Sequence, residues 1–332
     1  MHCHLYVPDL LSAEPAHADQ RFAAAETLIA RGRRKRMAPT TLHAWLFERF
    51  GVTMQRDWPV APYTLLADGG SPGRDFWMRA DPVHLRVGLH SLSLADSSLQ
   101  LSRAEADALV EALNRHFGDT LRFDPVQPTR WYVKLHRAPD LLTTPPSRAC
   151  GEAIGSKLPS GADATGFRAL MNEAQMLLHE HPVNTARQAR GEPEVNSVWF
   201  WGGGVMGAAG ARPFLAVFGD DPLTRGLALA AGIPARALPQ HAGAMLIDAG
   251  AEGVALVALE PPRGAQGRAA LERDWLEPLL AALRSGRIGM LTLSLPDANS
   301  LLEVETVRSD LRYFWRPRKP LAAYIQGGPG LP

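Results

Sequence analysis

"VNSVWFWGGG", residues 195–204, marks a change of texture in this chain. An apolar run carrying two tryptophans ends in three glycines, a backbone with no side chains. From here on the sequence reads strand, helix, strand: "RPFLAVFG", "DPLTRGLALAAG", "GVALVALE", "GRAALERDWLEPLLAALRSG" and "IGMLTLSL". Continuous apolar strands that take turns with helices indicate a parallel sheet covered on both faces. The expected fold class is α/β, a mostly parallel sheet with helices on both sides.

Upstream the pattern differs. "HLYVPDL" reads as a short buried strand stopped by Pro8, and helices follow across "DQRFAAAETLIARG" and "TTLHAWLFERFG". These few elements are too small for a core of their own, so they are expected to join the later α/β portion. Between them lie prolines, glycines and brief alternations such as "HLRVGLHSLSL", then the strands "TLRFD" and "RWYVKLH". Ser102 and Glu105 open a helix as a capping box, and Gly118 closes it. A second helix covers "GADATGFRALMNEAQMLLHEHP", with Phe167, Leu170, Met171, Ala174, Leu177 and Leu178 on one stripe. The middle is therefore an inserted α+β domain. The expected division is a discontinuous core, 1–60 and 195–332, interrupted by an insertion at 61–194.

With 332 residues the chain is long enough for this arrangement. Its 35 Lys and Arg against 34 Asp and Glu create no global field that would recruit nucleic acid or anionic lipid. Cys3 and Cys150 share no motif spacing, which excludes a disulfide framework and a cysteine zinc site and suits a reducing cytoplasm. The start "MHCHLYVPDLL" has no leader pattern, and no run approaches the roughly 18 apolar residues of a membrane span.

The stretch "HEHPVNTARQARGEPEVN" gathers polar groups. Asn184, Arg187 and Arg190 stand three apart and share one face of a helix begun near Pro182, with Asn196 following. Guanidinium forks and an amide suit a carboxylate or phosphate. A solvated helix end is the plainer account of the same residues. Gly202, Gly203 and Gly204 offer bare amides to an anion, or simply a tight strand exit with Trp199 and Trp201 in the core. No convincing helix follows Gly207, so a dinucleotide fingerprint is rejected. These seven residues, Asn184, Arg187, Arg190, Asn196 and Gly202 to Gly204, form the expected ligand-binding set. "RGRRKR" at 31–36 puts five positive charges in six residues, but it lacks interleaved aromatics and reads as a solvated helix end. His2 and His4 share a strand face without a third ligand nearby. No G-x-S-x-G elbow occurs. No catalytic residue, metal ligand set or cofactor is expected.

"HPVNTARQARGEPEVNSVWFWGGG" is similar to the stretch of archaeal-type cofactor-independent phosphoglycerate mutases in which an arginine, a glycine and a Pro-Ala-Asn precede an apolar strand ending in glycines. The likeness continues through "FGDDPLTRGLALAAGIPARALPQHAGAM". "DFWMRADPVHLRVGLHSLSL" and "TLRFDPVQPTRWYVKLH" resemble a bacterial offshoot, the RpfE-type regulatory proteins. The resemblance covers most of 1–320 and implies an alkaline-phosphatase-like core with an inserted domain. It also implies two divalent metals held by several Asp and His, with a Ser nucleophile. The corresponding strand exits here read "LEPPRGAQG" and "SLPDANSLL", where only Glu260 and Asp297 could coordinate, and no histidine follows His241. Asp9 is the surviving counterpart at the first strand. The expectation is a catalytically degenerate relative that keeps the fold, loses the phosphoryl chemistry and acts as a cytoplasmic regulatory or small-anion-binding protein. Two alternatives stand beside it: an active metal-dependent phosphoryl-transfer enzyme with rearranged ligands His2, His4, Asp9 and His241, and a protein-interaction module. The expected partners are a small phosphorylated or carboxylate metabolite or another protein, not a membrane or nucleic acid.

Overall fold

The structure of the protein, a computed structural model, describes residues 1–11, 21–88, 92–95, 99–118, 120–151, 153–207, 212–248, 253–297 and 299–325. The chain divides into two compact units, one of Met1–Gly51 with Ala209–Pro332 and one of Val52–Ala208. The first unit opens with β1 (His2–Tyr6), α1 (Ala23–Arg31), β2 (Arg33–Met37) and α2 (Leu42–Arg49). The second comprises α3 (Val60–Ala67), β3 (Phe76–Val83), β4 (Leu85–Val87), β5 (Leu92–Leu94), α4 (Arg103–Phe117), β6 (Arg122–Gln127), β7 (Arg130–Leu135), α5 (Ala164–His179), α6 (Pro182–Ala189) and β8 (Ser197–Val205). The first then resumes with β9 (Ala216–Phe218), α7 (Pro222–Ala230), β10 (Ala235–Arg236), α8 (Ala242–Asp248), β11 (Val254–Ala258), α9 (Gly264–Leu271), α10 (Glu277–Ser285), β12 (Met290–Pro296) and β13 (Leu301–Val307). Among the described residues no helix is long and apolar enough to cross a membrane.

The first unit is built on a seven-stranded sheet of order β10-β9-β11-β1-β12-β13-β2. The five strands from β10 to β12 run parallel, and β13 and β2 are antiparallel. Central β1 pairs with β11 on one side and β12 on the other, so the chain's first residues complete a sheet made mostly by its last hundred. Leu5, Leu28, Phe218, Val257, Leu276, Leu283 and Leu293 are among the buried side chains of one continuous core. The helix expected across 267–286 is interrupted by a π turn at Glu272–Leu276. There the Glu272 carboxylate accepts from the amides of Ala24 and Ala25 at the start of α1, where those donors have no partner within the helix.

The basic run at 31–36, expected to be a helix end, is strand β2 from Arg33 onward. The cause lies far away in sequence: Arg33 stands opposite Glu305 and Lys35 opposite Glu303, and opposite charges facing across a strand pair stabilise it. Gly32 permits the approach, because a Cβ there would lie 2.8 Å from the Glu305 carbonyl oxygen.

The opening stretch also falls elsewhere than expected. β8 does not join the parallel core. It pairs antiparallel with β3 from Phe76↔Val205 to Val83↔Ser197, at the end of a sheet of order β6-β7-β3-β8. The chain returns to the first unit after residue 208, not at 195. A continuous apolar run records burial on both faces and carries no information about strand direction. The glycines are packing devices. A Cβ on Gly202, whose φ is 64°, would lie 2.8 Å from Val60 Cβ, and one on Gly204 would lie 2.4 Å from Pro59 Cβ. Both contacts bring the start of α3 onto the strand.

Gly202→Ala and Gly204→Ala should therefore each destabilise the protein by about 1–3 kcal/mol, the usual range for overpacking. Gly203→Ala should cost less, since its Cβ would meet the flexible end of Met78 at 2.8 Å. Urea unfolding of the three variants tests this. Wild-type midpoints for the 202 and 204 variants would contradict the packing role.

Candidate functional site

Open α/β sheets hold ligands outside the carboxyl ends of their parallel strands. In the first unit four such ends carry acids. Beyond β1, Asp9 is exposed and holds a φ of 57°, the one positive value at a non-glycine position among the described residues. Such backbone conformations are uncommon outside glycine and concentrate at functional sites. Beyond β11, Glu260 is exposed as well. Beyond β9, Asp220 is exposed and accepts from the Leu238 amide at 3.1 Å, while Asp221 caps α7, accepting from the Thr224 amide at 2.8 Å and its hydroxyl at 2.9 Å. Beyond β12, the Asp297 side chain is 4% exposed. It accepts from the amides of Asn299 and Ser300, both at 2.7 Å, and from the Ser300 hydroxyl at 2.9 Å, with Arg36 at 3.5 Å. Asp221 and Asp297 are thus committed to local structure, and Asp9, Asp220 and Glu260 stay exposed.

A cleft of about 460 Å³ opens at the ends of β1 and β12, lined by Tyr6, Asp9, Thr40, Thr41, Asp297 and Asn299 among others. Its size suits a small ligand. Burial, and then the neighbouring Asp9 carboxylate, push the Tyr6 phenol above its ordinary range, so it stays protonated. Among the described residues the cleft therefore offers carboxylates and hydroxyls, with no basic side chain in its lining.

The histidines of β1 are structural. His2 shares a hydrogen bond with the Thr292 hydroxyl at 2.8 Å and His4 with the Ser294 hydroxyl at 2.9 Å. His4 lies edge-on to Trp45 with ring centroids 5.1 Å apart. Burial, reinforced by the charges of Arg49 and His2, drops its pKa to about 3 and keeps it neutral. His241 accepts from the Ala244 amide at the start of α8. Among the described residues no three His, Cys, Asp or Glu side chains gather where they could hold a metal ion.

In the second unit the expected ligand-binding residues do not form one site: the arginines close on Glu105 and Glu192, and Asn184, Asn196 and the glycines each meet other groups of the protein itself. α6 begins at Pro182 as expected. Asn184 is fully buried: its amide donates to the carbonyls of Leu178 and Val195 and accepts from the Val195 amide, each at 2.8 Å. Arg187 is 1% exposed and donates to the carbonyls of Pro193 at 2.8 Å and Gln100 at 2.9 Å, with Glu105 and Glu192 each at 3.3 Å. Arg190 is paired with Glu105 at 2.6 Å and Glu192 at 2.8 Å. Asn196 bonds both backbone groups of Leu85. Gly202 to Gly204 lie within β8 against Val60, Pro59, Met78 and Phe76. The small cavity that Gly203 helps to line is about 80 Å³, too small for a phosphorylated metabolite. The two arginines thus close an ion-pair cluster and do not face the glycines across an open cleft. The Arg190 side chain is 47% exposed, so it is the arginine of this cluster that an anion can reach, in competition with Glu192.

Glu105 holds this cluster together. Burial alone would raise its pKa. The amide and hydroxyl of Ser102, the Arg190 fork and the Arg187 charge outweigh burial and hold it down at about 2. A second cluster, unmarked by any motif, answers what the tryptophans hold. Buried Arg79 grips Asp81 through three hydrogen bonds and lies between the rings of Trp201 at 5.1 Å and Tyr132 at 5.3 Å. The Trp201 indole donates to Asp81 at 2.7 Å. The only trace in sequence is the spacing of Arg79 and Asp81, two apart on one face of β3.

Residues 72–184 match the family model of 2,3-bisphosphoglycerate-independent phosphoglycerate mutase. The chain is 30% identical over 200 residues to a probable mutase of this kind from Geobacter sulfurreducens, covering 56% of this chain and 48% of that protein. It is 34% identical over 136 residues to the mutase of Methanothrix thermoacetophila, covering 39% and 33%. The chain thus spans about half or less of the length of these relatives. In three dimensions it is similar to the cofactor-independent phosphoglycerate mutase of Thermoplasma acidophilum, with 16% identity, a TM-score of 0.52 and coverage of 97% of this chain and 94% of that one. It is also similar to PH0037 of Pyrococcus horikoshii, with 14% identity, a TM-score of 0.57 and coverage of 97% and 92%. At these identities the structures establish the fold alone, an α/β unit on a mostly parallel sheet with an additional antiparallel unit. The chain is similar to these mutases in sequence over part of its length.

The Glu105→Gln variant tests the cluster. It leaves Arg187 short of one carboxylate in a buried setting and should cost about 2 kcal/mol at neutral pH. Because the folded pKa is depressed, the stability from this carboxylate is full above the ordinary value of 4.5 and is lost as pH falls toward about 2. Denaturant titrations should show the gap between wild type and variant closing across that window. A constant gap would mean that the carboxylate's charge is not what matters.

Proposed function

We propose that this chain is a catalytically degenerate phosphoglycerate-mutase-like protein of the RpfE-type regulatory kind, which binds and does not turn over. One observation carries the reading. Among the described residues at the carboxyl edge of the parallel strands, no three acids or imidazoles gather where they could hold a metal ion, and Asp221 and Asp297 are committed to a helix cap and a turn. Two-metal phosphoryl transfer needs several anionic or imidazole ligands converging on ions roughly 3.5–4 Å apart. A partial set of three exposed carboxylates, Asp9, Asp220 and Glu260, at three separate strand ends falls short of that.

An active enzyme built on His2, His4, Asp9 and His241 would need groups that stand apart. His2 lies at the amino end of β1 and Asp9 beyond its carboxyl end, separated by at least the strand's own length of roughly 13 Å. His241 is turned to the backbone of its own helix. Small-anion binding has its best route at Arg190, where an incoming phosphate or carboxylate competes with Glu192.

Assay of the purified chain on 3-phosphoglycerate with manganese or cobalt added tests the reading. The expected result is no mutase turnover above the protein-free blank. Metal-dependent turnover that disappears in Asp9→Asn would overturn it.

A further inference from the structure

The basic run at 31–36 lacks aromatic neighbours in sequence, and the fold supplies them. β2 is the outermost strand of its sheet, with Arg33, Arg34 and Lys35 exposed. Arg34 lies opposite Val304 of β13, and so on the face covered by α1, with its guanidinium 5.9 Å from the centre of the Tyr324 ring. The segment after β13 returns to this edge. Arg31 donates to the Leu311 carbonyl at 2.8 Å, and Arg316 donates to the Arg31 carbonyl at 3.0 Å while lying 4.6 Å over the Tyr313 ring. These contacts place "RYFWR", residues 312–316, beside the basic strand.

Phe314 is 78% exposed and Trp315 is 63% exposed, and the two rings meet edge to face at 5.3 Å. Five Arg or Lys lie between 31 and 36 and five between 308 and 319, although the whole chain carries a net charge of only +1. Asp310 is the single acid inside these two stretches, and it is buried and bonded to the Val307 amide. Across the strand pair Glu305 and Glu303 face Arg33 and Lys35, and Asp297 faces Arg36, so the charge open to a ligand is that of Arg34 and of the arginines between 312 and 318.

We propose that this edge binds single-stranded nucleic acid, with phosphates on the arginines and unpaired bases stacked on Phe314 and Trp315. Arginine forks match phosphate oxygens and their planes stack on bases. Exposed rings among arginines offer sequence-tolerant stacking platforms. A membrane would need an apolar surface to bury, and two rings hemmed by arginines supply little of one. A free phosphate would make no use of the rings. Paired bases in a duplex present no face to them. This site is independent of the mutase-like edge of the sheet.

The test is fluorescence anisotropy of a fluorescein-labelled oligouridylate of about 12 nucleotides, a length within single-strand site sizes, titrated with the full chain. Binding should quench tryptophan emission. Its logarithm should fall against the logarithm of salt with a slope of about −3, as expected for about four neutralised phosphates. Trp315→Ala should weaken binding about tenfold and remove most of the quench, the scale of one lost stacking platform. Arg312→Ala and Arg318→Ala should each reduce the salt slope by about 1. All three positions are exposed, and circular dichroism checks that the variants are folded. Failure to bind at low salt would overturn the proposal, as would binding unchanged in Trp315→Ala, preference for duplex, or association with phosphatidylserine vesicles but not with the oligonucleotide.

Discussion

A charge taken out of water has to be neutralised where it sits, and in this protein that requirement is met from within. Arg187 and Arg79 are both nearly buried, and each is surrounded by carboxylates, carbonyl oxygens or aromatic rings of its own chain. Asp297 and Glu272 are buried acids that accept backbone amides. Unpaired, such groups would each cost several kcal/mol. Paired, they fix how helices and strands meet, and they have little left to offer a ligand. The functional reading follows from this saturation. Among the described residues, most groups that look in sequence like candidates for metal or anion binding are already in use, while Asp9 and Glu260 stay exposed.

The same constraint separates what could be read in the sequence from what could not. The parallel core could be read, because strands buried on both faces leave unbroken apolar runs between helices, and because Pro8 and the Ser102–Glu105 box mark ends by local chemistry. The strand "VWFWGGG" could be recognised as a strand but not assigned to its sheet, since its partner β3 lies more than a hundred residues earlier and burial pattern is silent about partners. The basic strand β2 could not be recognised at all. Its stabilising acids, Glu303 and Glu305, follow it by about 270 residues.

The candidate site was legible to the same partial degree. Helix α6 and the shared face of Asn184 and Arg187 follow from Pro182 and the three-residue spacing. That these groups point inward does not follow. Glu105 reads locally as half of a capping box, and it performs that role while also accepting from Arg190 and facing Arg187. One carboxylate serving a helix start and two distant arginines leaves no mark in spacing. Arg79 and Asp81 were overlooked for a related reason: an alternating Arg and Asp on a strand usually mean a solvated face, and only the rings of Trp201 and Tyr132 make this one an interior.

The central proposal is that, among the described residues, the carboxyl edge of the parallel sheet assembles no metal site. Titration of the protein with manganese, followed by the electron paramagnetic resonance of the free ion, tests it most directly. The account predicts that the free-ion signal grows with added manganese almost as it does without protein, with at most weak association at exposed carboxylates such as Asp9 and Glu260. Two ions held stoichiometrically per chain, with the loss of both on Asp9→Asn, would contradict it.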